Sequence, residues 1–129
     1  SSFYKLNKKD DLFKINNSNL LNSFTLDQFC KKNKINKIDF IKIDTQDYDL
    51  KVLKGATKLL KNKKINLIKI EITFNSIYKS NSKSDEIITY LNTMGYRLIN
   101  FSLIKFENNR LMFCDAYFAS KERKRVSGI

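Results

Sequence analysis

The segment 39–56 limits the possible folds more than any other part of this sequence. Residues 38–43 are mostly apolar and either β-branched or aromatic, which predicts a strand covered on both faces. Apolar residues then recur at helical spacing, as at Leu50 and Leu53. Asp44 is left at the carboxyl end of the strand, where open α/β sheets build their ligand sites. We therefore expect a buried strand, an acidic turn that carries a site, and a helix.

Capping and turn residues predict further elements in one domain over residues 1–129. These are a capped helix over 25–32, the strand over 38–43, a helix to about residue 60 that is kinked or thinned at Gly55 to approach the sheet, a strand over 65–72, a helix from residue 82 or 84 to 94 that stops at Gly95, and strands over 96–106 and 110–119. Short strands are expected near 12–15 and 20–24, and a frayed tail at 120–129.

The fold class that follows is α/β. The central order is β-α-β-α-β-β, in which the first two strands are parallel and the last two form an antiparallel hairpin. An arrangement of this kind is typical of one side of a doubly wound sheet.

Composition excludes several classes of site. The chain contains no His, so a His general base, a His-based triad and a zinc–histidine site are excluded. Cys30 and Cys114 are too few for a disulfide framework, and we expect both to be reduced core residues. No apolar run approaches the roughly 20 residues of a membrane span, and no signal-peptide pattern is present, so we expect a cytoplasmic location.

The net charge of +12 raises a second hypothesis, a basic module that binds nucleic acid or an anionic surface. Of the 25 basic residues 21 are Lys, and they are scattered along the chain apart from a cluster at 121–125. Few aromatic residues alternate with them, as a base-stacking surface would require. The pattern favours a solvated lysine-rich surface.

Asp44 and Glu71 are the candidate catalytic residues. Alternation along a strand places Asp44 on the same face as Lys42, and Glu71 on the same face as Lys69. If the two strands are adjacent and parallel, the carboxylates converge on one crevice, where they could accept a proton, bind a cofactor amine or ligate a hard cation. The alternative is that the two lysines neutralise them as structural ion pairs.

The sequence offers no recognisable metal or nucleotide loop. The acids after Asp44 do not have the order of a calcium loop, and we expect Asp47 and Asp49 to complement the positive end of the helix. Only three glycines occur, so the chain has no Gly-rich turn of the kind that holds a nucleotide. Tyr48 and Tyr78 are candidate substrate-binding residues beside the crevice, although tyrosines at such positions more often pack with an exposed hydroxyl.

Five segments carry a family resemblance: TLDQFC at 25–30, DFIKIDTQ at 39–46, LKVLKGA at 50–56, IEI at 70–72 and GY at 95–96. With them the chain resembles the FkbM family of methyltransferases over about residues 25–119. The resemblance implies a class I, Rossmann-like methyltransferase sheet and S-adenosylmethionine as cofactor. It also implies O-methylation of a hydroxyl on a sugar or secondary metabolite.

The resemblance further implies that this chain is the carboxyl-terminal half of such a domain, so that the Gly-rich cofactor loop lies in a missing half, in cis or in trans. Asp44 and Gln46 would contact the cofactor, and Gln46, Tyr48 and Glu71 would line the acceptor side. One position departs from the family pattern, since Asp47 stands where the family has Gly.

Two expectations and a third hypothesis follow from the missing half. These residues alone should bind S-adenosylmethionine weakly or not at all. A chain that lacks the first half would leave the strand at 38–43 with a bare edge. An inactive truncated product is the third hypothesis, beside the enzyme and the basic binding module.

Overall fold

The computed structural model describes residues 6–7, 12–16, 24–45, 48–74 and 84–120. Their elements are β1 (Leu6–Asn7), β2 (Leu12–Asn16), α1 (Leu26–Lys32), β3 (Ile38–Asp44), α2 (Asp49–Lys54), α3 (Thr57–Lys61), β4 (Ile65–Thr73), α4 (Ser84–Thr93), β5 (Tyr96–Glu107) and β6 (Arg110–Ser120). The α/β class and the predicted central order are confirmed. The predicted strand at 20–24 lies outside the described residues except for residue 24. The predicted tail at 120–129 also lies outside them except for Ser120, which is the last residue of β6.

The strands form one sheet in the order β1-β2-β3-β4-β6-β5. β3 runs parallel to β2 on one side and to β4 on the other, and β6 joins β4 antiparallel. The expectation of a bare edge on β3 is wrong, because β2 pairs with it from Leu12 opposite Phe40 to Asn16 opposite Asp44. This pairing occupies the backbone donors and acceptors that an open edge would expose.

The apolar core lies on the face of the sheet that the helices cover. Ile41 and Ile43 of β3 are almost fully buried, in one cluster with apolar residues of all four helices. The alternate positions Phe40, Lys42 and Leu67 are only half-buried. The prediction that β3 is covered on both faces is therefore correct only for the face on which the helices pack. Among the described residues, no helix packs on the second face, which carries Lys42 and Asp44.

Side-chain caps define the first helix. The Gln28 N–H donates to Thr25 Oγ1, and the Thr25 N–H donates to Gln28 Oε1, each at 3.1 Å. This is the predicted capping box, and α1 ends at Lys32 as expected.

The helix predicted up to residue 60 is divided at Gly55 into α2 and α3. The Asp27 carboxylate accepts the Lys58 N–H at 2.9 Å and the Leu59 N–H at 3.0 Å, so α1 caps α3. A Cβ on Gly55 would lie 3.1 Å from Thr25 Cβ. The close approach at Gly55 is therefore to the start of α1 and not to the sheet.

The final hairpin begins and turns where the sequence predicts. Gly95 ends α4 with φ of 86°. Asn108 and Asn109 both have positive φ, of 51° and 62°, as a two-residue hairpin turn requires. The Tyr96 hydroxyl donates to the Ile65 carbonyl at 2.6 Å, which joins the starts of β5 and β4.

Two other predictions from composition can be compared with the structure. Cys30 and Cys114 are both buried free thiols, as expected. Across the described ranges, no helix has the length and apolar character needed to cross a membrane.

Candidate functional site

Three acidic residues occupy neighbouring positions on β3, β4 and β6, near the edge of the sheet where β3 and β4 end. Ile43 of β3 pairs with Ile70 of β4, so the residues that follow, Asp44 and Glu71, are neighbours. Glu71 is in turn opposite Asp115 of β6. The two strands are adjacent and parallel, and the expected meeting of Asp44 and Glu71 follows from that pairing.

The carboxylates line a cavity of about 190 Å³. Its walls also contain Lys42 and Lys69 from the strands, together with Leu103 and Phe113 from the hairpin. Pockets for whole drug-sized ligands measure roughly 300–1,000 Å³. The cavity formed by the described residues is therefore large enough for part of such a ligand, and its lining is both charged and apolar.

The surroundings of Glu71 make it a stronger base than an ordinary glutamate. Burial raises the pKa of Glu71 above its ordinary value, the charges of Asp115 and Asp44 raise it further, and Lys42 opposes the shift. A carboxylate with a raised pKa accepts a proton more readily near neutral pH. Glu71 is thus suited to take a proton from a bound group.

The lysines do not neutralise the predicted pair in the way the alternative hypothesis requires. Lys69 Nζ lies 3.4 Å from an oxygen of Asp115 and 5.7 Å from the ring centre of Tyr117. No basic residue in the described part of the chain forms a salt bridge with Asp44 or Glu71. The ion-pair hypothesis is wrong for Lys69, because β6 places Asp115 beside it.

Asp49 is buried directly behind the acidic turn. It is only 4% exposed, and its Oδ1 accepts the Thr45 N–H at 3.1 Å as well as the Thr45 hydroxyl. Burial raises the pKa of Asp49 to about 6; the Thr45 hydrogen bonds lower it, and the charges of Asp44 and Glu71 raise it. The prediction that Asp49 complements the helix end is incomplete, because its carboxylate also fixes the residue next to Asp44.

Of the remaining predicted site residues, the structure describes Tyr48 alone. Tyr48 is 48% exposed just before α2 and does not line the cavity. Gln46 and Tyr78 lie outside the described residues, as does Asp47. The cofactor contact of Gln46 and the substrate contacts of Tyr48 and Tyr78 stay predictions.

Sequence reasoning missed three residues of the cavity: Asp115, Leu103 and Phe113. A signal for Asp115 was present, since Cys114, Ala116 and Phe118 alternate with Asp115 and Tyr117 in a strand with one apolar face. What the pattern lacked was the position of that strand beside β4. Leu103 and Phe113 gave no signal, because exposed apolar residues in a hairpin cannot be assigned to a site from their spacing.

A second and larger cavity, of about 500 Å³, lies between α1 and α3. The carboxylate in its lining, Asp27, already accepts hydrogen bonds as the cap of α3. The acidic residue of this cavity therefore has a structural role. Within the described ranges, no three His, Cys, Asp or Glu side chains come close enough to hold a metal ion. The strand-end cavity is the better candidate for a site.

Residues 13–98 match the family model described as the methyltransferase FkbM domain. The matched region contains both strands that carry Asp44 and Glu71, and it ends within β5, before Asp115. Searches of curated proteins and of solved structures found no match.

Proposed function

This chain belongs to the FkbM methyltransferase family, and we propose that it carries the acceptor side of an S-adenosylmethionine-dependent O-methyltransferase. The acceptor is a small molecule or glycan whose hydroxyl is methylated, on a sugar or a secondary metabolite. The observation that supports this most is the pair Asp44 and Glu71, in one cavity at the ends of adjacent parallel strands. Rossmann-like sheets bind ligands at such strand ends, and β3 to β6 would form one side of such a sheet.

S-adenosylmethionine, when bound, supplies an activated methyl group. Asp44 is a suitable acceptor for its ammonium group or its ribose hydroxyls, with Gln46 as a second contact. The described glycines, Gly55 and Gly95, end helices and do not line the cavity. The described residues therefore fit one edge of the cofactor, and other residues, in cis or in trans, have to hold its nucleoside.

The chain's own residues have two tasks in the proposed reaction. Glu71 accepts a hydrogen bond from the acceptor hydroxyl and takes its proton on a carboxylate oxygen, for which its raised pKa is suited. Asp44 fixes the position of the hydroxyl relative to the cofactor. Proximity and orientation supply most of the acceleration in a displacement of this kind.

The test is methyl transfer by the natural gene product to a panel of sugars and polyols, followed with isotopically labelled methyl groups. We expect Asp44→Asn to lower turnover by about 100-fold, the loss that misplacement of a reacting group can cause. Asp39→Asn is the matched control, because Asp39 lies on the same strand and pairs with Lys37 at 3.8 Å on the surface. Its turnover should equal that of the unmodified protein.

Two results would contradict the proposal. Transfer to no hydroxyl in the panel would oppose the reaction class, and near-normal turnover in Asp44→Asn with intact folding would remove Asp44 from the site. Calorimetry supplies an independent measurement. The 129 residues alone should bind S-adenosylmethionine more weakly than the micromolar range, and micromolar binding would show that they hold the whole cofactor.

A further inference from the structure

The far end of the β5–β6 hairpin exposes an unusual amount of apolar surface. The residues concerned are Leu103, Ile104, Phe106, Leu111 and Phe113, and Leu103 is 75% exposed. Exposed apolar groups that cluster in this way mark binding surfaces, whereas single exposed residues do not.

This apolar end is continuous with the strand-end cavity. β5 and β4 are both antiparallel to β6, so the hairpin turn lies at the same edge of the sheet as Asp44 and Glu71. Leu103 and Phe113, which we call the hairpin wall, line the cavity together with those carboxylates. One ligand could therefore contact the charged and the apolar side at once.

We propose that the acceptor is amphipathic, with an apolar body that binds the hairpin wall and a hydroxyl-bearing head held at Asp44 and Glu71. This inference rests on the proposed function, because it takes the carboxylate pair to be the acceptor site. The apolar body gains affinity by removing the wall from water. The charged side holds the head in place.

A second copy of the chain fits this surface less well. β5 is one of the two outer strands of the sheet, so two copies could pair along it. Its register with β6 is interrupted between Leu98 and Asn100 and again between Ser102 and Lys105, and Leu103 has φ of 50°. Irregularities of this kind bend an edge strand and oppose continuous pairing. The favoured occupant is therefore a ligand of the cavity.

The test compares two probes that share a sugar head, maltose and n-dodecyl-β-D-maltoside below its micelle-forming concentration, by calorimetry with the full chain. We expect the dodecyl compound to bind at least tenfold more tightly. The double variant Leu103→Ser and Phe113→Ser should reduce this preference to less than twofold. Ile99→Ser is the matched control, since Ile99 is 48% exposed on the same strand but outside the cavity. It should keep the full preference.

Three outcomes would overturn the inference: equal binding of the two probes, a preference that survives in the double variant, or a preference lost equally in Ile99→Ser. The surface would instead belong to a second copy if the unmodified chain sediments as a dimer and binds no dodecyl maltoside, while the double variant sediments as a monomer. Failure of the proposed function is seen separately. If the chain keeps the preference that depends on the hairpin wall but transfers no methyl group, an amphipathic ligand is supported and the proposed methyl transfer is wrong.

Discussion

Asp49 and Thr45 form a buried pair behind the acidic turn, in which both the backbone N–H and the hydroxyl of Thr45 donate to one carboxylate oxygen of Asp49. Thr45 is fully buried, and Asp49 is nearly so. The pair joins the end of β3 to the first residue of α2. It thereby fixes the direction in which the chain leaves Asp44. It also buries the Asp49 carboxylate, whose charged form is costly to remove from water.

The pH dependence of stability should show that cost. The folded-state pKa of Asp49 is about 6, above its ordinary value of 3.8, so between these values the folded state binds more protons than the unfolded state. Stability from this group is therefore full below about pH 4 and is lost as pH rises through about 6. The free energy of unfolding should be about 1 kcal/mol higher at pH 5 than at pH 7 on account of Asp49.

Asp49→Asn removes the titration while its amide oxygen still accepts from Thr45. Urea unfolding at pH 5 and pH 7 should show that the variant lacks this gain on acidification. Asp39→Asn, on the surface of β3, should keep it. An equal gain in Asp49→Asn and in the unmodified chain would place the titrating group elsewhere.

The sequence was sufficient where the cause of a structure is local. The capping box of the first helix depends only on Thr25 and on Gln28, three residues away. Its two reciprocal hydrogen bonds form as predicted. Period-two alternation likewise placed Asp44 on the same face of its strand as Lys42, and Glu71 on the same face as Lys69. These features need no knowledge of how distant segments pack.

Non-local features were missed for a matching reason. Asp115 reaches the cavity because β6 lies between β4 and β5, and an alternation pattern does not give the order of strands. Burial of Asp49 depends on how α2 packs against the sheet, so its position in the sequence indicated only a helix end. The pairing of β2 with β3 is also non-local. The bare edge followed from the resemblance, which implies that the first half of the domain is missing.

Asp27 should stabilise the fold at a distance from its own helix. Its carboxylate caps α3, which begins about 30 residues later in the chain, through the Lys58 and Leu59 N–H groups. Asp27→Ala leaves both donors without this acceptor and should lower the free energy of unfolding by about 1–2 kcal/mol. Asp85→Ala, at an exposed position in the first turn of α4, is the control and should cost less. Urea unfolding measures both, and equal costs would contradict the capping role.

Gly95 should be the most sensitive glycine of the described chain, because its φ of 86° lies in the region that side chains disfavour. An added Cβ would also lie 2.8 Å from Lys63 Nζ, which donates to the Met94 carbonyl at 2.6 Å. We expect Gly95→Ala to lower the free energy of unfolding by about 1–2 kcal/mol from the backbone alone. Asn92→Ala introduces the same residue at an exposed position of α4 and should be neutral or slightly stabilising, since Ala favours helix. Urea unfolding of the two variants decides the point, and an unchanged midpoint for Gly95→Ala would mean that the end of α4 adjusts its backbone without cost.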